Sequence, residues 1–228
     1  MLTINDLTVS YGDKIVLEKL QLNLELAKIH GLVGLNGAGK TTLLNAIYGF
    51  KTKDSGIVMF KDLPLKRIDV SYLETENFYY SNITGKEYLI LFQRLTDGYN
   101  LDNWNKIFKL PLDELIESYS TGMKKKLSLM AILKQDKEIV ILDEPFNGLD
   151  IESSKVLSLI ISKLKENGKT IIVTSHILES LTNICDFIHY LDNKVISFTR
   201  DKNNFTNLES EIFNEMEAEH KELINTVI

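Results

Sequence analysis

The stretch that most constrains the fold is Gly34-Leu35-Asn36-Gly37-Ala38-Gly39-Lys40-Thr41. Its three glycines permit a tight turn in which successive backbone N–H groups face one anion. An apolar run, Ile29–Gly34, leads into it and reads as a buried strand. A helix is expected to follow, from about Gly39 to Tyr48, and its N-terminus adds partial positive charge at the same point. The spacing matches G-x-x-x-x-G-K-[ST]. In that pattern Gly34, Asn36, Gly37, Ala38 and Gly39 form a backbone cradle. Lys40 is expected to reach β- and γ-phosphates, Thr41 to ligate Mg²⁺ through its hydroxyl, and Thr42 to bond a phosphate oxygen.

The rest of the chain alternates strands and helices. Leu2, Ile4, Leu7 and Val9, then Leu20, Leu22, Leu24 and Leu26, alternate at strand period. Gly56–Phe60 and Val70–Leu73 are short strand candidates. A helix is expected over Thr84–Leu95, with Thr84 as cap and Glu87 three residues on. The helical pattern continues to about Gln135. Apolar runs at Glu138–Leu142 and Lys169–Thr174 read as buried parallel strands, with a helix over Ser153–Leu164 between them. Phe187–Leu191 and Lys194–Phe198 read as a hairpin around Asp192-Asn193. Such alternation predicts an α/β domain with a mostly parallel sheet. The helical stretch, about 84–135, reads as an inserted subdomain.

The strand at Ile139–Leu142 ends in Asp143-Glu144. Parallel strands present their C-terminal ends to one ligand crevice, so both carboxylates are expected beside the glycine-rich loop. Asp143 can hold the hydration shell of a magnesium ion. Glu144 can orient an attacking water or accept its proton. His176 ends the next apolar strand and can touch a γ-phosphate. His30, His189 and His220 are expected to be structural or on the surface.

These elements stand in one order with Tyr11, Tyr119-Ser120-Thr121-Gly122-Met123 and Asn147-Gly148-Leu149-Asp150. Over roughly Met1–Thr199 that order resembles the nucleotide-binding domain of ABC transporters. The resemblance implies a P-loop NTPase fold with an N-terminal antiparallel β-subdomain, a mostly parallel core sheet and an inserted helical subdomain. It implies that Tyr11 stacks on adenine and that Lys40, Glu144 and His176 serve hydrolysis of ATP. Ser120 and Gly122 resemble the family's signature, and Asp150 its loop coupling two ATP sites. In that family the signature serves the ATP of a partner subunit, in a head-to-tail homodimer or heterodimer. A second helix N-terminus fits this, because one phosphate group needs only one such cradle. Lys124, Lys125 and Lys126 read mainly as a solvated helix face.

Two departures stand out. The family places a glutamine soon after the strand at Val70–Leu73. Here the sequence is Tyr72-Leu73-Glu74-Thr75-Glu76-Asn77, with Glu74 as first candidate for its magnesium contact and Glu76 as second. A glutamate in this loop resembles some peptide-antibiotic export and immunity ATPases, and the Tyr-Ser-Thr-Gly-Met form resembles the bacterial exporter branch.

The 228 residues suit one domain of about 1–205 and a helical tail over 206–228. The net charge is −6, of which residues 201–228 carry −5. A near-neutral body argues against a nucleic-acid partner. No run is long and apolar enough to span a bilayer, and one cysteine, Cys185, excludes an internal disulfide. The expectation is therefore a cytoplasmic protein, held at the inner membrane face by a separate ABC transmembrane permease. A soluble ABC ATPase without a transport role, or a regulatory nucleotide-binding subunit, is the alternative.

Overall fold

The computed structural model describes residues 1–92 and 98–212. In chain order, β1 (Leu2–Tyr11), β2 (Lys14–Leu24) and β3 (Ile29–Val33) precede α1 (Lys40–Tyr48). Next come β4 (Ser55–Phe60), β5 (Leu63–Pro64) and β6 (Val70–Leu73). Helices α2 (Gly85–Ile90), α3 (Leu101–Phe108) and α4 (Thr121–Gln135) separate β6 from β7 (Ile139–Leu142). The remainder is α5 (Ile151–Glu166), β8 (Thr170–Thr174), α6 (Leu178–Thr182) and the hairpin β9 (Phe187–Asp192) and β10 (Val195–Asp201).

Two sheets form. One is antiparallel, in the order β2-β1-β4-β5. The other runs β10-β9-β3-β8-β7-β6, and from β9 to β6 every pairing is parallel. Its strands are short apolar runs because both faces are covered. Along β7, Ile139 and Ile141 face a core shared with α1 and the antiparallel sheet. Val140 and Leu142 face the other core, shared with α4 and α5. Register does the rest. Leu73 pairs with Leu142, Leu142 with Val173, and Leu32 with Thr174. The C-terminal ends of β3, β6, β7 and β8 therefore lie along one sheet edge.

Local sequence signals hold where they are self-contained. At α2, Thr84 N–H donates to Glu87 Oε2 at 2.7 Å, and Glu87 N–H donates to Thr84 Oγ1 at 3.2 Å. The helical reading from there to Gln135 is broken, however. Lys109 leaves α3 with φ 55°, and residues 109–115 run back against the start of α2. There Gly85 N–H and Lys86 N–H donate to Glu114 O and Leu112 O. The tail expected over Leu208–Ile224 is helical over 208–212, with Leu208 and Ile212 buried. Its remainder, with His220 and Met216, lies outside the described residues.

His30 and His189 are both buried and bonded to each other, Nδ1 to Nε2, at 3.0 Å. His30 Nε2 contacts Glu25 O at 2.9 Å, and a carbonyl can only accept, so that nitrogen carries the proton. His30 Nδ1 must then accept from His189 Nε2, and His189 Nδ1 accepts from the Thr199 hydroxyl. Both rings are neutral, with each tautomer set by its neighbours. Burial pulls His30 down to about 4 and His189 to about 3.

Both values lie below those of the unfolded chain, which therefore binds more protons as pH falls below about 6.5. Stability should be lost over that range, by about 2 kcal/mol per histidine at pH 5. In urea unfolding at pH 7.5 and pH 5, His189→Gln should roughly halve the acid loss, since its amide can keep both hydrogen bonds without titrating.

Candidate functional site

The glycine-rich loop leaves β3 at the aligned sheet edge. Gly37 and Gly39 have φ 83° and 108°, which other residues adopt only under strain. Gly34 is excluded from substitution for a different reason: a Cβ there would lie 2.4 Å from Leu191 O. Lys40 opens α1, and its Nζ donates to Gly34 O at 2.6 Å and Leu35 O at 3.2 Å. Burial lowers its affinity for a proton, and Glu144 and Asp143 oppose that shift.

The loop borders an open cavity of about 380 Å³. Asn36, Gly37, Gly39, Lys40, Thr41 and Thr42 line it, together with Asp143 and Glu144. Val16 and Thr75 complete the lining.

Asp143 is the hub of the polar network. Thr41 Oγ1 donates to its Oδ2 at 3.1 Å, and Thr174 Oγ1 donates to its Oδ1 at 2.6 Å. The Thr174 hydroxyl also accepts from Glu144 N–H at 2.8 Å. Glu144 sits at φ 49°, an uncommon conformation that costs a non-glycine residue about 1–2 kcal/mol. The bond to Thr174 helps hold it there. Its carboxylate accepts from His176 N–H at 3.2 Å and pairs with His176 Nδ1 at 3.0 Å. Glycine-rich loop, two carboxylates and histidine thus meet where three strands end.

Other expected residues lie elsewhere. Tyr11 is half exposed, with Lys51 Nζ 4.2 Å from its ring centroid, and Val16 rather than Tyr11 borders the cavity. Ser120 caps α4, accepting from Met123 N–H at 3.3 Å. Asp150 caps α5, accepting from Ser153 N–H at 2.7 Å, which holds its carboxyl below the usual range. A Cβ on Gly122 would sit 3.0 Å from Gly148 O, so these two loops pack together.

Glu74 lines the neighbouring cavity of about 580 Å³, among Tyr48, Phe50, Tyr72, Phe78 and Tyr80. Thr75 is the residue of that loop that borders the phosphate cradle. Burial and the nearby Asp143 push the Glu74 carboxyl up. No short motif marks Thr75, Thr174 or Val16 in the sequence. Lys125 is buried, not part of the solvated helix face expected of the Lys124–Lys126 run.

With this geometry in hand, likeness to known proteins becomes decisive. The family model described as ABC transporter matches residues 17–147. The chain belongs to the ABC transporter family. It is 31% identical to the lantibiotic transport ATP-binding protein SrtF of Streptococcus pyogenes, over 94% of this chain and 96% of SrtF. It is 35% identical to the bacitracin transport ATP-binding protein BcrA of Enterococcus faecalis, over 80% of this chain and 63% of BcrA. A solved ATP-binding subunit of an ABC transporter shares its fold with TM-score 0.86, at 24% identity and covering 96% of this chain and 98% of that one. This ABC protein is an ATP-binding and ATP-hydrolysing transporter subunit. Among the described residues no helix is long and apolar enough to cross a membrane.

Lys40→Ala should weaken ATP binding about tenfold or more, read by titration with a fluorescent ATP analogue. Thr174→Val leaves an Asp143 oxygen and the Glu144 N–H without their partner. It should cost about 2 kcal/mol of stability and slow phosphate release, while a wild-type rate would count against the network's role.

Proposed function

We propose that this ABC subunit powers an exporter whose translocation path is a separate membrane permease, and that its cargo is a peptide antibiotic. The cargo class rests on the lantibiotic and bacitracin transport roles in the names of two relatives. The hydrolytic assignment rests on one observation: the Glu144 carboxylate, paired with His176 and set beside the phosphate cradle. A carboxylate there can orient the attacking water and accept its proton. His176 holds that carboxylate in place and offers a contact to the γ-phosphate. Lys40 is the cradle's cation. Tyr11 is proposed to stack on adenine.

The donor set beside the cradle suits magnesium. Thr41 Oγ1 and Asp143 Oδ2 are hard oxygens 3.1 Å apart. Among the described residues no cluster of three His, Cys, Asp or Glu could hold a metal alone, so phosphate oxygens would complete the shell. Magnesium there would neutralise charge on the β- and γ-phosphates. Thr41 and Asp143 would hold it, with Thr75 rather than Glu74 at the loop position nearest the cradle.

The remaining parts fit an ATP-dependent dimer. Ser120 and Gly122 begin a second helix N-terminus, and Asp150 lies on the loop packed against it. In a head-to-tail pair these would close over the partner's ATP, in a homodimer or heterodimer. The division into a domain of 1–205, with a helical subdomain of about 84–135, and a tail of 206–228 is part of the same reading. So is a place at the inner face of the cell membrane, reached through the permease.

Glu144→Gln should keep ATP affinity within about twofold, lower turnover at least about a hundredfold, and trap an ATP-bound dimer in light scattering. Unchanged turnover would sink the role of Glu144. Pull-down of the tagged chain from detergent-solubilised membranes of its own cell should bring a multi-span protein, and recovery of soluble partners only would overturn the transporter reading.

A further inference from the structure

The second turn of α4 carries a buried cation that the phosphate cradle does not use. Lys125 is 6% exposed, five residues beyond the α4 cap Ser120. Its Nζ lies 3.4 Å from Glu74 O and 3.5 Å from Thr75 O. Both contacts are at the long end for hydrogen bonds, so a buried charge held between two carbonyl dipoles describes them better than two short bonds. Asp143 and Glu144 attract the same ammonium, as they attract Lys40. The carboxylate pair thus interacts with two lysines from two different helices.

The loop after β6 is gripped by α4 a second time. Tyr79 Oη donates to Lys124 O at 2.8 Å and lies 2.7 Å from Ser128 Oγ. These two holds tie residues 74–79 to α4. One end of this unit is the Ser120–Gly122 terminus. The other is Thr75, at the chain's own phosphate cavity.

We propose that Lys125 is a positioning residue that couples the helix terminus serving a partner's ATP to the Thr75 loop of the chain's own site. The proposal rests on the dimer reading above. Contact of the terminus with the partner's nucleotide shifts α4, and Lys125 carries that shift to Glu74 and Thr75. Turnover at one site then depends on occupancy of the other. The residue must be long and carry a cationic donor: methionine has the length without the donor, and arginine has both.

The test uses the full chain, with Lys125→Met, Lys125→Gln and Lys125→Arg. Lys125→Met should bind a fluorescent ATP analogue within about twofold of wild type, yet lose about tenfold in kcat, with its Hill coefficient for ATP falling to about 1. Lys125→Arg should recover most of both. If the methionine variant does not fold, Lys125→Gln, too short to span both carbonyls, should show the same loss. Unchanged kcat and cooperativity in a folded variant overturn the coupling, as does a wild-type chain without cooperativity. An equal loss of affinity, kcat and melting temperature in all three variants marks a purely structural lysine and also overturns it. Light scattering of Glu144→Gln in ATP separates the two ideas: a monomer there overturns the dimer reading and the coupling with it, whereas a dimer leaves the kinetics to decide on Lys125.

Discussion

Everything at the site depends on the parallel register of four short strands. Register that sets Leu73 beside Leu142, Leu142 beside Val173, and Leu32 beside Thr174 brings four strand ends to one edge. Residues far apart in sequence then follow those ends: the glycine-rich loop, Thr75, Asp143 with Glu144, and His176. A parallel sheet can be so short because alternate residues enter two different cores. Each fully buried Ile or Val contributes about 1.5–3 kcal/mol relative to exposure. A slip of one residue would exchange the two faces. Burial therefore fixes the register, and the register fixes the site.

Asp143 turns that alignment into chemistry. It is nearly inaccessible, and its two oxygens accept from hydroxyls on two different elements. Thr41 belongs to the cradle and Thr174 to the adjacent strand. Thr174 also anchors the amide of Glu144, which lets a strained residue aim its carboxylate at His176. The strain is tolerable because several bonds over-determine it. A buried carboxylate without such partners would be costly; with them it organises the Glu144–His176 pair.

Much of this was legible in advance. The glycine-rich turn is a local device, so the spacing of its glycines predicts it. The acid pair ends an apolar run, and the capping box at Thr84 and Glu87 closes within one turn. Legibility failed where the outcome depends on distant packing. Periodicity could not show that residues 109–115 turn back onto α2, because those contacts are with Glu114 O and Leu112 O. Composition suggested a solvated lysine run, yet Lys125 is buried because α4 lies against the loop after β6. Glu74 and Thr75 are neighbours in sequence, and only the path of the backbone decides which faces the cradle.

The sequence by itself determined the glycine-rich turn, the succession of strands and helices along the chain, and the places of Lys40, Asp143, Glu144 and His176 at the ends of apolar strands or at a helix start. These depend on local geometry and on apolar patterning, both carried within a few residues. The tertiary structure alone decided that Thr174 joins Asp143 to Glu144, that Thr75 borders the phosphate cavity while Glu74 faces its neighbour, and that His30 and His189 lock each other neutral. Each of these joins or separates positions by the meeting of strands and helices distant in the chain. Burial and register make those meetings, and no short window of sequence contains them.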